Sequence, residues 1–134
     1  MVIPCHIVVE HNPAVIYASR NGAPTKVLPI LNQFLDRFWQ ERDISGEDVD
    51  TPECLVAQII VRFGFEICED DYSNLRVGLN YYADAEYLYW VKSDRTVQVW
   101  VPQSAYREDP SVGVKGCQKL LNDARQTDLN PIEC

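Results

Sequence analysis

The sequence predicts a single α+β domain: a mainly antiparallel sheet of about five strands with two long helices on one face, in the order ββααβββα. Three observations carry that prediction. Residues 86–102, EYLYWVKSDRTVQVWVP, hold two runs of alternating β-branched and aromatic residues around a polar Lys-Ser-Asp-Arg turn, the pattern of a β-hairpin. Val27, Leu28, Leu31, Leu35, Phe38 and Trp39 recur at helical spacing and mark one apolar helix face. Thr51-Pro52-Glu53 then combines an N-cap residue, a first-turn proline and an acid placed to suit the helix dipole. Strands that follow one another closely pair antiparallel, so most of the sheet is expected to be of that kind.

The elements follow in order. Residues 3–9 and 14–19 form an N-terminal hairpin around His11-Asn12-Pro13, where Asn caps its own backbone and Pro fixes φ. Arg20-Asn21-Gly22 leads into the first helix. Pro29 would clash inside a regular helix, so that helix is expected to begin near Pro29 after a looser turn and to end around Arg42. An acidic loop covers 43–50. The second helix starts at Thr51 and carries Leu55, Val56, Ile59, Ile60 and Phe63 on a nearly continuous apolar stripe. Gly64 is expected to cap it, with an irregular exit over 65–68, although Val61, Phe63, Phe65 and Ile67 also alternate as a strand would. A turn at 69–71 precedes a third strand with Leu75, Val77, Leu79 and Tyr81 on one face. After the hairpin and a polar loop, Cys117, Leu120, Leu121 and Ala124 suggest a short helix over 115–125, followed by a loosely ordered tail at 127–134.

Composition excludes several activities. The net charge of −8 repels nucleic-acid phosphates and anionic membranes, so neither is expected as a partner. No apolar run approaches the ~18 residues of a membrane span. The five cysteines are odd in number and contain no CxxC pair, which predicts reduced thiols, no disulfide and a cytoplasmic location.

Chemistry-bearing constellations are sparse. Cys5, His6, Glu10 and His11 combine metal-ligand types, but His6 and Glu10 on one strand face stand about 13 Å apart at ~3.3 Å per residue. His6 is therefore expected on a solvated face and His11 in a turn, with no metal. No nucleophile motif includes either histidine, and Cys68 beside three acids is a poor thiolate site. The turn at Arg20-Asn21-Gly22 precedes a helix N-terminus, where anions bind, but reads as a plain connection. Glu69, Asp70, Asp71, Asp84 and Glu86 lack calcium-loop spacing. No cofactor is predicted and no catalytic set emerges.

The least ordinary feature is aromatic. If the hairpin loop holds an even number of residues, Leu88 and Trp90 share the core face with Val97, Val99 and Val101. Tyr87, Tyr89 and Trp100 then stand together on the open face, and Tyr and Trp are the residues enriched at binding hot spots. An odd loop would regroup the two sets. The favoured reading is a small acidic protein-interaction module, self-associating or binding another protein through this aromatic face or a sheet edge. A small-molecule binder or enzyme with a pocket between sheet and helices, near Trp39, is the alternative. An acidic nucleic-acid mimic is third.

Overall fold

The computed structural model describes residues 2–46, 51–68 and 72–125. The turn at 69–71 and the tail at 127–134 lie outside the described residues, as do residues 47–50 of the acidic loop. The N-terminal hairpin forms as the sequence predicts: β1 (Cys5–Val9) pairs antiparallel with β2 (Val15–Ala18). Asn12 accepts the Ala14 N–H through its side chain, and His11 supplies the left-handed turn residue at φ 71°.

Helix α1 (Pro24–Ser45) is one unbroken helix of 22 residues. The expected start near Pro29 is corrected: Pro24 occupies the first turn, and Pro29 sits inside the helix on its exposed side. The carbonyl that Pro29 cannot serve belongs to Thr25, also exposed, so water can satisfy it. The helix ends three residues beyond Arg42, where Gly46 at φ 71° donates its N–H to the Arg42 carbonyl.

The second helical run corrects another expectation. Gly64 is not a cap but a helical residue at φ −60°. Helix α2 (Thr51–Gln58) passes through a π turn at Ile59–Phe63 into α3 (Gly64–Cys68), so no part of 59–68 is strand. The buried residues explain why. Leu55, Ile59, Phe63 and Ile67 recur every four residues, a spacing that drifts by about 40° per step around a 3.6-residue helix. The wider π turn winds the stripe back, which keeps all four side chains on the sheet.

Among the described residues the sheet has six strands in the order β3-β2-β1-β4-β5-β6 and is mixed, not mainly antiparallel with five. β3 (Leu75–Gly78) lies beside β2, while β4 (Tyr87–Val91) pairs parallel with β1, and β5 (Val97–Pro102) pairs antiparallel with β4. The central pair is parallel because residues 79–86 carry the chain from the end of β3 back to the end of the sheet where β1 starts. The expected helix over 115–125 is absent. A short helix α4 (Ser104–Glu108) and a 3₁₀ segment at Pro110–Gly116 lead into β6 (Cys117–Leu121) on the free edge of β5.

The main core lies between one sheet face and the α1 and α2–α3 layer, with Ile7, Ile16, Leu28, Leu31, Leu35, Ile59 and Phe63 all buried. A second, smaller core of Ala85, Leu88 and Tyr106 lies on the opposite face beneath α4 and the 3₁₀ segment. Among the described residues no helix is long and apolar enough to cross a membrane, and Cys5, Cys54, Cys68 and Cys117 are free thiols.

Candidate functional site

The hairpin register decides the fate of the aromatic set. Val91 pairs with Val97, so five residues lie between the paired positions and the loop is odd. Residues of equal parity therefore share a face: Leu88 stands opposite Trp100, and Tyr89 opposite Val99. Tyr87, Tyr89 and Trp100 do not form one surface. Tyr89 is 0% exposed in the main core, and its hydroxyl donates to the Gly22 carbonyl at 2.6 Å. Burial holds its phenol well above the usual range. Tyr87 is half-buried on the same face, its ring 6.3 Å from that of Tyr89. Trp100 is half-buried on the other face against the smaller core, with Lys119 over its ring at 5.4 Å. Trp90 joins it there, covered by Lys92 at 4.1 Å. Both tryptophans thus carry a lysine over the ring, a favourable arrangement that leaves less bare aromatic surface.

His6 is buried, not solvated. Tyr17, Tyr81 and Tyr82 surround its ring at centroid distances of 5.3, 5.3 and 5.9 Å. Nδ1 lies 3.2 Å from the Ile16 carbonyl, and Nε2 accepts the Tyr82 N–H at 2.8 Å. These partners fix a neutral ring with its proton on Nδ1, and burial lowers its pKa to about 4. Both nitrogens are engaged with backbone, so the ring has no lone pair or proton left for catalysis. It is a latch that holds the chain after β3 against the sheet. Tyr17 extends the latch by donating to both Asp84 carboxylate oxygens.

The thiols are equally unsuited to nucleophilic work. Burial pushes Cys5 up to about 12 and Cys117 up to about 11, and it also raises Cys68. Desolvation is the main cause at Cys68, with its acidic neighbours in sequence not needed to explain the rise. Among the described residues no group of three or more His, Cys, Asp and Glu side chains could hold a metal ion.

Two concavities remain. A pocket of about 260 Å³ lies between the sheet end and Trp39, lined also by Val9, Leu55, Pro52 and Thr51, with Arg95 beside it. A wider groove of about 740 Å³ runs between α1 and the α2–α3 run, with Phe34, Phe38 and Phe63 below and Val61 and Phe65 at its rim.

The exposed apolar side chains gather where the sequence reading did not place them. Nine large hydrophobic residues are exposed among those described, and Val61, Phe65, Tyr72, Val77, Leu79 and Tyr82 fall between 61 and 82. Phe65 is 79% exposed and Leu79 71%. The same segment runs from the outer side of the second helical run to the edge strand β3. Gly64 brings the two together, because a Cβ there would lie 2.7 Å from the Leu75 side chain. The alternation of Val61, Phe63, Phe65 and Ile67 held this signal in part: in a helix, residues 61 and 65 share the side opposite 63 and 67. Compared with family models, with curated proteins and with solved structures, the chain matches none.

Proposed function

We propose that this chain is a small acidic cytoplasmic protein-interaction module without catalytic activity, and that its binding surface is the apolar side built by residues 61–82. One observation carries the reading: of the nine large hydrophobics exposed among the described residues, Val61 and Phe65 lie at the groove rim and Val77 and Leu79 at the β3 edge, while Tyr82 stacks on Tyr17 across the sheet. Contiguous apolar surface in water is costly, at about 25 cal/mol per Å², and such patches mark docking sites. The aromatic residues expected to form the interface do not share one face. Tyr89 belongs to the core, while Tyr87 and Trp100 are half-buried on opposite faces.

The test is a double variant on the helix side of the patch. Val61→Ser with Phe65→Ser alters two exposed side chains one helical turn apart, so the fold should keep its melting temperature within a few degrees. The wild type should form a complex of defined mass, with itself or with another chain, that the variant does not form. Identical complexes from both proteins would strike the helix side from the surface and leave the β3 edge, and a wild type that forms no complex would remove this reading. A second reading, small-molecule binding, is favoured only by the Trp39 pocket, whose ~260 Å³ falls just under the usual size of ligand sites.

A further inference from the structure

Among the described residues the sheet ends in two free edges, β3 and β6, and they are not alike. β6 carries the features that discourage pairing: a register shift at Val99/Trp100 and the exposed polar residues Gln118 and Lys119. β3 carries no register shift, and its one exposed charge is Arg76. It pairs with β2 through four consecutive residues and contains no proline. Arg76 leans over the Tyr17 ring at 5.8 Å.

The direction of the backbone groups follows from the ladder. Ser19 donates its N–H to the Asn74 carbonyl at 2.9 Å, so residue 74 turns its polar groups toward β2. Hydrogen-bonded pairs alternate along an antiparallel ladder, so Arg76 and Gly78 also face β2, and Leu75 and Val77 face outward. Leu75 confirms this, because its N–H reaches the Cys68 sulfur instead of β2. Val77 is left presenting both its N–H and its carbonyl at the open edge, beside a side chain that is 50% exposed.

We propose that β3 pairs antiparallel with the β3 of a second copy about a two-fold axis at Val77, joining two six-stranded sheets into one. The proposal rests on the interaction reading above and deepens it by naming the partner as this same chain. An axis at Val77 makes Val77 face its own copy as a hydrogen-bonded pair, with two N–H···O=C bonds. It places Arg76 opposite Gly78 of the other copy, where nothing lies within 4 Å of the missing Cβ and the long side chain has room. Charge selects against the neighbouring register. An axis at Arg76 would set two guanidinium groups directly opposite each other, a destabilising arrangement. An axis at Leu75 would centre the seam on the N–H already given to Cys68, whereas an axis at Val77 forgoes that N–H only at the ends, where Leu75 faces Leu79 of the other copy. The exposed Leu79 and the Leu75 side chain then meet across the seam, apolar against apolar.

Two measurements test the pairing on the full chain. Val77→Pro removes the outward N–H and leaves the β2 ladder intact, because prolines are tolerated on strand edges. Sedimentation equilibrium should give twice 15.4 kDa for the wild type and the monomer mass for Val77→Pro. The second measurement does not depend on the proline variant folding. An equal mixture of Arg76→Cys and Gly78→Cys chains, gently oxidised, should give a cross-linked dimer that neither variant forms alone. A monomeric wild type, a dimer that survives Val77→Pro, or Arg76→Cys chains that cross-link as well alone as mixed would overturn the proposal. A dimer that survives Val77→Pro yet dissociates in Val61→Ser/Phe65→Ser would overturn the pairing and leave the interaction reading standing. Assembly unchanged in all the variants would remove both.

Discussion

At the scale of single residues, the clearest consequence of burial falls on His6. Its pKa drops from 6.5 to about 4 because the ring is enclosed, and the Ile16 carbonyl facing Nδ1 offsets that only in part. The unfolded chain therefore takes up a proton at a pH where the folded chain does not. The contribution of this residue is fully present above pH 6.5 and is lost as pH falls toward 4. The shift corresponds to something on the order of 3 kcal/mol. Glu10 acts at lower pH: the Ser93 N–H and the Lys92 ammonium hold its carboxyl down at about 2, so its contribution is present above pH 4.5 and is lost as pH falls toward 2. The two windows separate. Thermal melts of the wild type should lose stability steadily from pH 6.5 downward. His6→Gln keeps a donor and an acceptor in the side chain but cannot titrate. It should be less stable at neutral pH and show a much flatter slope between pH 6.5 and 4.5. An unchanged slope would mean that His6 is protonated in the folded protein and that the latch is not neutral.

Elements show where local pattern was enough and where it was not. The N-terminal hairpin was legible because Asn12 and Pro13 set the turn chemically, independent of anything distant. The second helix was legible at its start for the same reason. Its continuation past Phe63 was not, because a four-residue stripe fits a regular helix poorly and only contact with the sheet selects the π turn. The open hairpin register was settled by neighbours on both sides: β1 and the helices bury Tyr89 and Val91, and that fixes which face is inward. β6 was hidden most completely. Cys117, Leu120, Leu121 and Ala124 have helical spacing, yet the free edge of β5 captured the segment as strand. Gly116 directs that capture, since a Cβ there would meet the Tyr106 backbone N at 2.6 Å and its Cα at 2.8 Å. Backbone cannot move aside as a side-chain tip can. Gly116→Ala should therefore destabilise by about 1–3 kcal/mol, as overpacking does, and should speed amide exchange in β6 more than in β1. A variant with wild-type stability and uniform exchange would show that the turn has slack.

Across the whole molecule, the mixed sheet is a partition with a core on each side. The larger core contains Ile59 and the helix layer, and the smaller contains Leu88 and Tyr106 beneath α4. Sequence pattern suggested one covered face and one open face, because α4 and the 3₁₀ segment are too short to announce an apolar stripe. Their hold comes from polar contacts with a single loop: the Tyr106 hydroxyl donates to the Tyr82 carbonyl at 2.6 Å, and Arg107 donates to the Ala85 carbonyl at 2.7 Å. His6 binds the same loop through the Tyr82 N–H, so one residue links the second core to the central strand. This arrangement makes a quantitative prediction. Ile59→Val trims one methyl group in the larger core, at a cost of about 0.5–1.5 kcal/mol. Tyr106→Phe removes the hydroxyl and leaves the Tyr82 carbonyl short of a donor, at a cost of about 1–3 kcal/mol. The sheet separates the two sites and they share no partner. Chemical denaturation of the two single variants and the double variant should then add to within about 0.5 kcal/mol. A larger interaction energy would show that the sheet shifts as one body when either core is loosened, and that its two faces do not relax independently.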